Sequence, residues 1–124
     1  MPRVVHFEVV AHDPARVAQF YGDVFGWKIQ RWDGPMEYYL VQTGEKEEAG
    51  IDGGIARTHD TSHPALTVNV VEVPSVDQYV EKATTAGGTV AVPRMPIPGV
   101  GWLAYCKDPE GVLFGLMETD PNAG

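Results

Sequence analysis

Two ionisable side chains stand two residues apart in the opening run Val4-Val5-His6-Phe7-Glu8-Val9-Val10. Alternation makes this run a strand, with Val5, Phe7 and Val9 on one face and Val4, His6, Glu8 and Val10 on the other. An imidazole titrates near neutrality and serves as a general acid, a general base or a metal ligand. It also serves simply to line a pocket. A carboxylate on an inward face costs free energy to bury unless it is paired. Glu8 therefore reads as a base toward a carbon acid, as the group that fixes one tautomer of His6, or as a carboxylate solvated in an open, wet cleft. The residue types leave these alternatives open.

Tyr105 lies three residues before the Asp108-Pro109 turn. By alternation it shares a face with Leu103, while Trp102, Ala104 and Cys106 take the other. Tyr39 holds a comparable place in the first half. Aromatic walls suit a flat or apolar ligand, and a phenol adds a group that orients it. Tyr39, Leu103 and Met117 are accordingly candidate ligand-binding residues. Arg94 follows Pro93 and has the chemistry to clamp a ligand carboxylate. Pro96–Gly101 reads as a stiff lid. Nothing around Cys106, the one cysteine, would lower its thiol pKa, so it is not read as a nucleophile. His59 and His63 read as solvated residues of a polar linker. No Ser/His/Asp motif, phosphate loop or zinc-type cysteine pair occurs.

The elements that must position these groups come in two similar series. Asp13-Pro14 starts a helix whose stripe is Val17, Phe20, Tyr21, Val24 and Phe25, and Gly26 stops it. Strands follow over Trp27–Trp32, Glu37–Thr43 and the glycine-weakened Ile51–Arg57. Leu66–Val73 then begins the order again. Ser75 and Gln78 form a capping box, and Val76, Tyr79, Val80 and Ala83 a helical stripe. Gly87 and Gly88 end that helix, and strands follow over Thr89–Val92, Trp102–Cys106 and Val112–Met117, with Pro93, Pro96 and Pro98 as separators. The caps Asp13 and Ser75, and the stops Gly26 and Gly87, are each separated by about half the chain. That spacing is the mark of a duplicated supersecondary unit.

Composition narrows the function. The chain has 124 residues, 44% of them hydrophobic, and nine Lys and Arg against 17 Asp and Glu leave a net charge of −8. This is the composition of one self-sufficient domain. It argues against a basic nucleic-acid face. No apolar run reaches the ~20 residues of a membrane span, and no signal-peptide core is visible. A lone cysteine and no leader lead to an expectation of a cytoplasmic protein.

Four stretches together resemble the vicinal oxygen chelate superfamily, which includes glyoxalase I, extradiol dioxygenases, fosfomycin-resistance transferases and bleomycin-resistance proteins. They are Val5–Val9; Phe20–Trp27; Val70–Asp77 with Ala86-Gly87-Gly88; and Asp108-Pro109-Glu110-Gly111. The His6-Phe7-Glu8 start and the Pro98–Gly111 stretch are more narrowly similar to short, single-domain glyoxalase-like proteins. The resemblance implies an α+β fold of two tandem β-α-β-β-β modules forming a curved mixed eight-stranded sheet, a cup with the helices outside. Module one would cover about 3–57, the linker about 58–64 and module two about 65–118.

The resemblance also implies a divalent metal in the cup, with His6 at the first ligand position. The second-module histidine position falls near Val68 and the closing glutamate on Gly115, and neither side chain can ligate. The fourth-strand glutamate of some members has no counterpart in Ile51–Arg57. Glu8 is the one neighbouring donor, so a divalent metal on an unorthodox His6–Glu8 pair stays open beside the preferred expectation, a metal-free cup with no certain cofactor and without glyoxalase I activity. The fosfomycin-resistance branch has a substrate-contacting tyrosine matching Tyr105. The implied function is to hold a small organic molecule. One form is lyase, isomerase or oxygenase-like chemistry, with His6, Glu8 and Tyr105 as acid/base and orienting groups. The other is non-catalytic binding or sequestration of an antibiotic-like ligand. A closed cup in an interaction domain is a third reading. Modules pair within one chain or across a homodimer, and both arrangements stay open.

Overall fold

Alternating apolar residues start the chain as strand β1 (Arg3–Ala11). The Asp13 side chain then accepts the Arg16 backbone N–H at 3.3 Å and caps helix α1 (Pro14–Phe25). Pro14 sits in the first turn, where its missing N–H costs nothing. Gly26 closes the helix at φ 71°, a left-handed conformation that glycine adopts without strain. Strands β2 (Lys28–Arg31), β3 (Tyr38–Gln42) and β4 (Asp52–Arg57) complete the first series. The second series is β5 (Leu66–Glu72), α2 (Val76–Thr85), β6 (Thr89–Ile97), β7 (Gly101–Lys107) and β8 (Leu113–Thr119). The Ser75 hydroxyl caps α2 through the Gln78 N–H, and the Glu118 carboxylate accepts the Val76 N–H at 3.0 Å. This computed structural model describes residues 2–58, 62 and 64–124; His59 and His63 lie outside the described residues.

The architecture is α+β, two β-α-β-β-β series contributing to one mixed eight-stranded sheet. The chain divides into two compact units, His6–Val68 and the residues up to Val5 with Asn69–Gly124. In the His6–Val68 unit the strand order is β2-β3-β4-β1. Strand β1 runs parallel to β4, with His6 opposite Asp52, Phe7 opposite Gly53, and Glu8 opposite Gly54. Strand β3 runs antiparallel to β4, with Tyr39 opposite Ile55 and Leu40 opposite Gly54. Helix α1 covers the face on which Ala18, Val41 and Ile55 form the core, with Phe7, Val9, Tyr21, Trp27 and Tyr39 packed against it. The expected apolar face of β1 is therefore the helix side.

In the other unit the order is β5-β8-β7-β6. Helix α2 packs on a core of Val73, Val76, Ala104, Cys106 and Leu116. Cys106 is buried there, and burial pushes its thiol pKa up, as suits a structural thiol. One sequence expectation is corrected here. The prolines were expected to end the sixth strand at Val92, but β6 continues through Pro93 and Pro96 to Ile97. It stands last in the strand order and carries register shifts between Val90 and Val92 and between Val92 and Met95. A proline lacks the ladder donor and is tolerated at such an edge or bulge. The Pro96–Gly101 lid is corrected with it. Ile97 pairs with Gly101, the Val100 N–H donates to the Ile97 carbonyl at 2.9 Å, and the segment is the tip of the β6–β7 hairpin. No helix among the described residues is long and apolar enough to cross a membrane.

Ile55 is 1% exposed at the centre of its core, whereas Val112 is 60% exposed. Ile55→Ala is expected to cost about 2–5 kcal/mol in denaturant unfolding, and Val112→Ala less than about 0.5 kcal/mol.

Candidate functional site

The site face of the His6–Val68 unit is the one turned away from α1. Period-two alternation along β1 brings His6 and Glu8 onto it, and the β1/β4 register adds Asp52 and Gly54 beside them. Tyr38, Leu40 and Gln42 of β3 share this face, and Tyr38 is the one that reaches His6 and Glu8. Its hydroxyl lies 3.1 Å from His6 Nε2 and donates to Glu8 Oε2 over a long 3.4 Å. The hydroxyl oxygen stands between the imidazole and the carboxylate, and the His6 tautomer decides which of the two nitrogen–oxygen partners donates. His6, Tyr38 and Glu8 thus form a continuous chain of three proton-carrying groups on two strands.

Burial acts on the protonation of Tyr38 and His6. Glu8 is 6% exposed, the one charged residue among the buried side chains of the described residues. Burial pushes the Tyr38 hydroxyl pKa far above its ordinary value, and the charge of Glu8 and the hydrogen bond to it push the same way. Tyr38 is therefore a donor at all physiological pH. Burial also holds His6 below its ordinary 6.5, with the Asp52 carboxylate partly opposing the shift. The imidazole is neutral at pH 7. Asp52 is itself held by the Thr43 N–H at 2.9 Å and the Thr43 hydroxyl at 3.3 Å.

The ring of Tyr38 is seated from both sides. A Cβ at Gly54 would stand 1.8 Å from Tyr38 Oη, so the hydroxyl end lies directly on the Gly54 backbone. Trp32 meets the ring edge-on at 6.3 Å between centroids, and its N–H donates to the Tyr38 carbonyl at 2.7 Å.

Two of the sequence candidates are placed elsewhere. Tyr39 lies on the α1 side with Val41 and Ile55, its hydroxyl on Glu37 at 3.2 Å and Arg31 over its ring. Tyr38 takes the place expected for it, because Val41 is a core residue and Tyr39 shares its parity. Arg94 stacks on Trp102 at 4.2 Å and pairs with Asp77 of α2 at 3.5 Å. Trp102 packs against the α2 core, so Arg94 belongs to that side. Leu103 opposite Met117, and Tyr105 opposite Gly115, share the other face of β7 and β8 in the second unit. Sequence reasoning missed Tyr38, Asp52 and Gly54. The parity of Tyr38 against core Val41 was the available signal.

The donors do not suit a resident divalent metal. Among the described residues no three His, Cys, Asp or Glu side chains come together. His6 Nε2 is engaged by Tyr38. Val68 is fully buried, and Gly115 carries no side chain, with a Cβ there only 3.2 Å from Val70 and 3.4 Å from Tyr105. A tetrahedral or octahedral ion needs a set of ligands that His6 and Glu8 alone do not supply.

Residues 3–44, which carry His6, Glu8 and Tyr38, match the family model described as bleomycin resistance protein-like N-terminal. No curated protein sequence matches. Among solved structures, methylmalonyl-CoA epimerase from Mycobacterium tuberculosis is similar with a TM-score of 0.67 at 16% identity, over 94% of this chain and 87% of that one. A Streptomyces coelicolor methylmalonyl-CoA epimerase variant in complex with 2-nitronate-propionyl-CoA gives 0.69 at 13% identity, over 98% and 97%. A methylmalonyl-CoA epimerase in complex with methylmalonyl-CoA and NH4+ gives 0.70 at 13% identity, over 100% and 99%. The chain has the vicinal oxygen chelate fold. His6, expected at the first ligand position of the resemblance, is in hydrogen-bond contact with a tyrosine.

Because the folded protein holds His6 below its ordinary pKa, the unfolded chain binds the proton more readily. Stability conferred by neutral His6 is full above pH 6.5 and is lost as pH falls through the lower folded value. Histidine NMR should place the His6 midpoint below 6.5, and Asp52→Asn should lower it further by removing the charge that opposes the shift.

Proposed function

We propose that the chain is a proton-transfer protein of the isomerase or lyase type, acting on a small carbon acid whose C–H bond is activated by a neighbouring carbonyl. The observation that carries this reading is the buried Glu8 carboxylate linked through the Tyr38 hydroxyl to a neutral imidazole. Glu8 accepts the α-hydrogen as a proton. The C–H electron pair becomes the enolate double bond, and the negative charge moves to the carbonyl oxygen. Once Glu8 holds the substrate proton it no longer requires the Tyr38 hydroxyl, whose single proton then turns to that oxygen. Return of the proton to carbon completes the exchange.

The likeness to epimerases shows the fold; their activity supports the choice of carbon acids as the first substrates to test. The bleomycin-resistance match over residues 3–44 favours a second reading, binding without turnover.

Deuterium exchange separates the two. Incubation in D2O with methylmalonyl-CoA and with a panel of 2-oxo and 2-methyl carboxylic acids should incorporate one α-deuteron into at least one compound, followed by mass spectrometry. Glu8→Gln should slow that exchange by roughly 10²–10⁴-fold. Exchange unaffected by Glu8→Gln rules the reading out, and saturable binding without exchange establishes the second one.

A further inference from the structure

We propose that Gly54 is the positioning residue of this site: its missing side chain is what lets the Tyr38 ring lie across β4 with its hydroxyl between His6 and Glu8. The inference deepens the proton-transfer reading and rests on it for the effect on turnover; the seat itself is a property of the protein alone.

Three observations carry it. First, a Cβ at Gly54 would fall 1.8 Å from Tyr38 Oη, 2.2 Å from Cζ and 2.8 Å from Cε2. Real side chains never approach so closely, so any other residue there expels the ring. The atoms met belong to a side chain and not to backbone, so the strand itself can accept the substitution. Second, Gly54 is absent from the positive-φ glycines and sits in regular ladder pairing with Glu8 and Leu40. Backbone conformation does not call for glycine here; space does. Third, Gly54 is the direct register partner of Glu8. A ring lying over Gly54 is thereby aimed at the Glu8 column, one pleat from His6 opposite Asp52. Among the described residues the groups facing His6 are Tyr38 from β3, Asp52 from β4 and Glu8 on its own strand.

The test is a double-mutant cycle on the full chain, with histidine NMR on each protein. Gly54→Ala should lower Tm by about 5 °C or more in the native background. In the Tyr38→Ala background it should be neutral or stabilising, because the new methyl enters vacated space and alanine restricts the unfolded chain. The His6 midpoint should return toward 6.5 in Gly54→Ala, where the displaced ring admits water. In Tyr38→Phe, which keeps the ring seated, it should stay low. If Gly54→Ala alone does not fold, a folded Gly54→Ala/Tyr38→Ala protein is the expected rescue. Equal destabilisation in both backgrounds, an unchanged His6 midpoint in Gly54→Ala, or a double variant that also fails to fold would overturn the proposal. Coupling in the cycle together with no deuterium exchange by the wild-type protein upholds the seat and removes only the proton-transfer reading.

Discussion

A carboxylate at 6% exposure has to be hydrogen-bonded, and the first unit is arranged around that requirement. Glu8 faces away from the helix because Phe7 and Val9 must face toward it. The strand pleat leaves no third option. What then makes the burial tolerable is supplied by β3 and β4. Tyr38 reaches over β4 to donate to Glu8, and His6 Nε2, one pleat earlier, lies in hydrogen-bond contact with the same hydroxyl. The hydroxyl and the imidazole are both held neutral by the same loss of water. The tyrosine cannot ionise beside Glu8, and the imidazole does not charge at neutral pH.

The two glycines in β4 work on opposite faces. A Cβ at Gly53 would lie 2.5 Å from the Phe7 carbonyl oxygen and 2.6 Å from its ring, so Gly53 admits Phe7 on the core side. Gly54 does the same for Tyr38 on the site side. Read as sequence, the pair weakens a strand, since glycine packs nothing and loses more freedom on folding. In the folded unit the loss is offset by two aromatic rings lying close across the backbone. Ile55 follows at once and anchors the same strand in the core at 1% exposure.

Much of this fold was legible because its signals are local. Asp13-Pro14 and Gly26, and Ser75 with Gln78, mark the helix ends by hydrogen bonds made within a few residues, and the structure uses them so. The alternation of β1 put His6 and Glu8 on one face correctly. The rest depended on partners distant in sequence. The choice between Tyr38 and Tyr39 turns on the parity of Val41 in the core. Asp52 joins the site only through the parallel register of β4 on β1. The length of β6 depends on its being last in the strand order, where Pro93 and Pro96 do no harm. Composition carries none of these relations.

The two ends of the strand order share a property that matters outside the folded unit. Strand β6 presents a rim interrupted twice by shifts in register and lacking N–H groups at Pro93 and Pro96. At the opposite end β2 is four residues long. A foreign extended segment seeking to add itself to either border would find too few evenly spaced donors and acceptors to grip. Fibrillar growth by strand addition is thereby discouraged at both borders, through chain chemistry that has nothing to do with the site.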